Sequence, residues 1–198
     1  ELAIIALRLH RLGPLAEHAA FTTVALRGYP PATQHTDQPK PAEAIRWMGP
    51  VDVRGVIRQA LFAHPTSTIT WQVPVSRPAK LVVSCAIVPA VAKLNPDGVR
   101  VTLSVRPPGA PTAIVSERTI RPSVHAADRY WRSLTVDVPG SADGDTEISL
   151  TTALPDHGTP DYAWAMLGEP RLLWRRRPAD VWRLARAATR SAPGRSPS

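Results

Sequence analysis

Two short stretches carry the residue types that could hold a ligand. In RPSVHAADRYWRS, residues 121–133, His125, Asp128 and Arg129 lead into the adjacent aromatics Tyr130 and Trp131. In LPDHGTPDYAW, residues 154–164, Asp156, His157 and Asp161 stand just before or beside Tyr162 and Trp164. An aromatic ring offers a flat surface on which the apolar face of a sugar ring stacks, while neighbouring carboxylate, guanidinium and imidazole groups fix the hydroxyls. The ligand-binding candidates are therefore Tyr130, Trp131, His125, Asp128 and Arg129, with Tyr162 and Asp161 as a second group. Large aromatics also dominate cores, so Trp131 and Trp164 are expected to turn inward and leave the two tyrosines exposed.

Other chemistry finds less support. DGDTE at 143–147 offers three carboxylates to a hard cation, but it is too short to supply six to eight oxygen ligands and is expected to be a solvated hairpin turn. HExxH, G-x-S-x-G, the P-loop and the glycine-rich dinucleotide fingerprint are all missing from the sequence. The six histidines occur singly, and the one cysteine, Cys85, excludes an intrachain disulfide and a cysteine-built zinc site. No catalytic residue, metal ligand or cofactor is assigned, and the expectation is a chain that is not an enzyme by itself.

Charge is concentrated at one end. The formal net charge is +8, and residues 171–198 hold eight arginines against a single aspartate. Arg175, Arg176 and Arg177 lead into PADVWRLARAATR, where Val181, Leu184, Ala185 and Ala188 share one helical face and Arg183, Arg186 and Arg190 lie off it. Pro178 suits a helix start. Such a basic helix could lie on an anionic surface, membrane or nucleic acid, gaining about 1 kcal/mol per well-placed cation at a membrane. It could equally be a connector or a solvated end, and SAPGRSPS beyond it has the composition of disorder.

The elements that position these residues follow from periodicity. Residues 1–12 place Leu2, Ile5, Leu9 and Leu12 at helical spacing before Gly13 and Pro14, and FTTVALR at 21–27 is expected as a strand. The proline-rich segment 28–50 has the composition of a linker. From there the period becomes two. Ile69, Trp71, Val73 and Val75 alternate with polar residues, as do Val99, Val101, Leu103 and Val105, the mark of half-buried antiparallel strands. Further strands are expected at 56–62, 81–88, 113–120, 131–138, 146–152 and 164–174, with Gly168 and Pro170 marking a bulge or edge position in the last. NPDG, RPPGAP, VPGSADGD and LPDHGTPD supply the turns. About eight short strands with turn signals between them predict a mainly β, antiparallel two-sheet sandwich over 51–174.

Several of these motifs in order resemble a known family. HPTSTITWQVPV, NPDGVRVTLSV, YWRSLTVDVPG, TEISLTT and DYAWAMLGEPRL together look like the galactose-binding-like jelly rolls, in particular the novel putative carbohydrate-binding module type. In that family a DGV turn leads into an alternating strand, a W…VDL strand follows, and a D.A.W..P.L strand closes the fold. The resemblance implies a non-catalytic accessory domain with a glycan as partner, joined to a catalytic domain in the same polypeptide or to a cell-surface protein of bacterial type. Separately, residues 1–27 resemble the last helix and strand of a Rossmann-like methyltransferase. The chain opens on Glu1 with no signal-peptide pattern and contains no apolar run of about 18 residues, so a piece of a longer polypeptide without a transmembrane segment here is expected, cytoplasmic or associated with the cell envelope. Three other readings stand beside the accessory domain: a structural or protein-interaction module, an anionic-surface binder acting through the tail, and the C-terminal fragment of a methyltransferase or glycosyltransferase.

Overall fold

The computed structural model describes residues 21–26, 31 and 33–175. Residues 24–172 form one compact unit, and the described residues 21–23 and 173–175 belong to a second. Among the described residues the chain runs β1 (Phe21–Ala25), β2 (Thr33–Thr36), a single helical turn α1 (Pro41–Ala44), β3 (Ile45–Val53), β4 (Val56–Ala63), β5 (Ser67–Pro74), β6 (Ala79–Ile87), β7 (Val99–Arg106), β8 (Ile114–Ile120), a 3-10 turn (Ala126–Arg129), β9 (Arg132–Val138), β10 (Asp145–Ala153) and β11 (Ala165–Arg175). They assemble as two antiparallel sheets. One has the order β3-β4-β11-β6-β9, with β1 also pairing β11, and the other β2-β5-β10-β7-β8. The expected β-sandwich is the observed architecture.

Alternation explains the second sheet. Along β5, β7 and β10 every other residue is buried, and the register sets Trp71 opposite Ile148 and Ile69 opposite Leu150, with Val105 and Leu103 across the other edge of β10. Each such side chain taken fully from water contributes about 1.5–3 kcal/mol. The outward set is polar and paired across strands: Thr68 with Thr151 at 3.0 Å, Thr70 with Ser149 at 2.9 Å, and Thr102 donating to Glu117 at 2.9 Å. Cross-strand pairs of this kind are worth roughly 0.2–1 kcal/mol, so burial drives the fold and the hydroxyl ladder tunes register.

The first sheet departs from alternation where it matters for the site. Every residue of β6 from Val83 to Ile87 is buried, as is β11 from Ala165 to Gly168. Neighbouring residues on a strand face opposite ways, so both faces of the sheet are covered here. The cover on the outer face is the β3–β4 hairpin, which packs Val53 and Ala60 against Ala86 of β6 and Met166 of β11.

Three expectations change. Segment 28–50 supplies β2, which pairs with β5, and the start of β3, which pairs with β4, because its Thr33–Thr36 and Ile45–Val53 stretches find strand partners despite the prolines around them. Eleven strands stand among the described residues where about eight were expected in the sandwich and one at 21–27; the expected one at 21–27 is β1, and the two extra, β2 and β3, begin in that segment. β11 lies in the interior of its sheet, not at an edge. Its pairing with β4 ends at Gly168, where an added Cβ would meet Ser84 Cβ at 3.0 Å, so glycine allows the close approach of neighbours and Pro170 falls beyond the paired stretch. The expected N-terminal helix and the basic segment with Arg176, Arg177, Arg183, Arg186 and Arg190 lie outside the described residues. Arg175 is the last residue of β11.

Candidate binding site at the loop end

The β3–β4 hairpin turns on Arg54 and Gly55, with φ of 53° and 84°. Two consecutive left-handed residues make the two-residue turn whose twist matches antiparallel strands, and glycine takes that conformation without a Cβ penalty. The Asp52 carboxylate secures it by accepting the Gly55 N–H at 2.6 Å. The tip is carried across the sheet. Trp131, the residue just before β9 on the far edge, donates its indole N–H to the carbonyl of Val56 at 2.8 Å. That bond and the packing of half-buried Trp131 on the Val53–Ala86–Met166 cluster hold the tip over the β8–β9 loop, where the Arg54 guanidinium stands 5.3 Å from the centre of the Tyr130 ring.

The β8–β9 loop is itself built around Asp128. Its carboxylate accepts the Arg121 N–H at 2.9 Å through Oδ2, and Oδ1 lies 3.5 Å from Arg132 Nε. The second contact is an ion pair without hydrogen-bond geometry, and Nε of Arg132 is otherwise without a partner. Arg129 closes the loop by donating Nε–H to the Pro122 carbonyl at 3.0 Å. Asp128 is buried, whereas His125, Arg129 and Tyr130 are exposed. His125 takes part through its backbone, donating its N–H to the Arg121 carbonyl at 2.8 Å.

Two more loops lie at the same end. The β6–β7 loop is tied to the β8–β9 loop by Ser123 Oγ donating to the Asn95 carbonyl at 2.8 Å, and by Arg121 Nε donating to the Asp97 carbonyl at 3.0 Å. The Asp97 carboxylate accepts the Thr159 N–H of the β10–β11 loop at 3.0 Å. In that third loop Tyr162 adopts a φ of 57°, Tyr162, Trp164 and Asp161 are exposed, and the Trp164 carbonyl accepts the Val88 N–H at 3.0 Å. Between the hairpin tip and the first two loops lies a surface depression of about 100 Å³, lined by Val53, Arg54, Ile87, Pro89, Ala92, Lys93, Pro122, Asp128 and Arg129.

The structure therefore brings His125, Asp128, Arg129, Tyr130 and Trp131 together with Arg54, while Asp161 and Tyr162 sit on the adjoining loop. The two tryptophans correct the sequence expectation. Trp164 is 38% exposed, because the inward places on either side of it are taken by Ala163 and Ala165. Trp131 packs on the outer-face cluster rather than in the inter-sheet core, where Trp71 is the enclosed tryptophan among the described residues. Sequence reading misses Arg54 and Lys93, since nothing local links the VRG turn or the β6–β7 loop to the aromatics. One signal was present: LVVSCAIV is apolar without alternation, which marks a strand covered on both faces and so requires a covering element.

No protein-family model matches the chain. No curated protein matches it either. Among solved structures it is similar to the CBM51-2 and INT domains of Clostridium perfringens ZmpB with GlcNAc, at 14% identity and a TM-score of 0.51, covering 77% of this chain and 31% of that one. It is also similar to the tandem CBM51 modules of the family 98 glycoside hydrolase of Streptococcus pneumoniae, at 10% identity and a TM-score of 0.53, covering 79% of this chain and 48% of that one. The chain thus spans less than half the length of these structures. At such identities the likeness shows the fold alone, a two-sheet antiparallel β-sandwich of the kind seen in these carbohydrate-binding modules.

Proposed function

We propose that this chain is a non-catalytic accessory module that holds a glycan at the loop end of the sandwich, within a larger glycan-related or cell-surface protein. The observation that carries the reading is Tyr130, half exposed under Arg54 and beside a depression lined by hydrogen-bonding side chains. A ring held in one orientation by a cation on one side gives a stacking surface at little entropic cost, and the neighbouring donors select hydroxyl positions. The fold adds support, since the similar module of Clostridium perfringens ZmpB is in complex with GlcNAc. Tyr162 and Asp161 extend the same loop end and would contact a second sugar unit. Binding here keeps an attached catalytic domain near its polymeric substrate by raising effective concentration.

The test is a glycan array probed with the full chain and with its Tyr130→Ala and Tyr162→Ala variants. Glycan binding that Tyr130→Ala removes and Tyr162→Ala weakens is the expected outcome. A folded chain that binds no glycan overturns the proposal and leaves a structural or protein-interaction module.

A further inference from the structure

The charges around the depression do not balance. Arg54, Lys93 and Arg129 line it, and the single carboxylate among its lining residues is Asp128. That carboxylate is committed elsewhere, to the Arg121 N–H and to Arg132, and the residue is only 8% exposed. Arg129 spends one N–H on the Pro122 carbonyl, which anchors the guanidinium and leaves its two terminal amino groups with no hydrogen-bond partner among the described residues. Arg54 is oriented by the Tyr130 ring, and among the described residues neither Arg54 nor Lys93 forms an ion pair with a carboxylate. Three cations gathered on one concave surface repel one another unless an anion joins them, and the apolar Ile87 and Pro89 beside them reduce the screening that water would provide.

We infer that this depression takes the anionic group of an acidic sugar, a carboxylate or sulfate ester, with the sugar ring outside it and against Tyr130. The inference rests on the glycan-binding reading and narrows it. Size agrees with a substituent rather than a whole ligand, for about 100 Å³ is well below the roughly 300 Å³ at which pockets begin to enclose small molecules. The chemistry of the lining agrees as well. Guanidinium groups meet carboxylate and sulfate oxygens with two parallel N–H donors, and an ammonium group adds a point charge. Arg54 is set in place by the turn and the Trp131–Val56 bond before any ligand arrives, so little ordering cost remains.

The arginines of residues 175–190 also attract polyanions, and the experiment must separate the two. The full chain is titrated by calorimetry at about 0.15 M salt, where exposed charges are screened beyond about 8 Å, with short uronic-acid, sialylated and sulfated oligosaccharides, each beside its neutral counterpart. At least one acidic member is expected to bind tenfold or more tightly than its neutral partner. The double variant Arg54→Gln, Lys93→Gln is expected to lose that preference, and Arg54→Lys, Lys93→Arg to keep most of it. Equal affinity for acidic and neutral partners overturns the inference and leaves glycan binding standing. An acidic preference that survives the glutamine variant also overturns it, since the anion is then held elsewhere. Failure to bind any oligosaccharide, acidic or neutral, overturns both readings together.

Discussion

Arg54 places its guanidinium over the ring of Tyr130, 5.3 Å from the ring centre, although one residue ends a hairpin of the first sheet and the other closes a loop between the sheets. The contact depends on an arginine in a left-handed backbone conformation, with φ of 53°. A side chain other than glycine pays roughly 1 kcal/mol or more for that conformation, a cost that packing at this tip must offset.

Arg54→Gly therefore separates stability from binding. Glycine enters the turn freely, so the variant is expected to unfold at equal or higher denaturant, by up to about 1 kcal/mol. Its ligand affinity is expected to fall severalfold as the Tyr130 ring loses the cation above it. Chemical denaturation beside a binding titration checks both, and a clear loss of stability would show that the arginine packs more than it strains.

Asp128 gives the opposite case. Removing its carboxylate in Asp128→Ala strands the Arg121 N–H and leaves Arg132 with a buried Nε and no counter-charge. The expected cost is roughly 2–3 kcal/mol. Asp128→Asn keeps an acceptor for the Arg121 N–H and should recover about half of that. The comparison of the two unfolding midpoints is the measurement, and equal midpoints for all three proteins would remove Asp128 from the loop's framework.

Gly98 ends the NPDG turn with φ of 82°, its N–H donated to the Asn95 side chain. A Cβ there would lie 2.3 Å from the Ile120 carbonyl oxygen, at the first pair of β7 with β8. Gly98→Ala is expected to cost roughly 3 kcal/mol, combining backbone strain with a clash against main chain that cannot swing away. A loss below about 0.5 kcal/mol, the range of an ordinary surface change, would contradict this account.

Cys85 is sealed between the sheets, with its Sγ 3.3 Å from the Arg132 carbonyl. Burial is the main cause that pushes its thiol from 9.0 up to about 12; Arg118 and Arg132 pull it down and Asp128 adds to the rise. The thiol is expected to resist alkylation in the native protein at pH 8 and to react once the chain is unfolded. Linkage gives a second reading. In the unfolded chain the thiol ionises from about pH 9 while the folded one keeps its proton to about pH 12, so its contribution is complete below pH 9. Across that window it is lost, by on the order of 1 kcal/mol per pH unit. Cys85→Ala should show a flatter decline of stability over the same range.

Much of the sandwich was legible in the chain. β5 and β7 alternate strictly, and a side chain on a pleated strand has only two faces to choose from, so Ile69, Trp71, Val73, Val99, Val101 and Leu103 could be assigned to the core. The NPDG stretch was legible as a turn, and its glycine takes the left-handed conformation found there without a Cβ penalty. Segment 28–50 was less legible, because β2 and β3 contain residues that are mostly exposed or half exposed and so carry little hydrophobic pattern.

The candidate site divides along the same line. Tyr130 and Tyr162 were readable as residues of polar loops beside charged groups, because local composition controls where a chain turns and what it leaves in water. That Arg54 covers Tyr130, that Lys93 and Arg129 share one depression, and that Asp128 holds the loop itself together came from long-range packing. Those relations depend on a hairpin crossing the face of a sheet to reach the opposite edge strand. A crossing of that kind follows from burial of the Ala86 and Met166 surface as a whole, and no spacing within either segment encodes it.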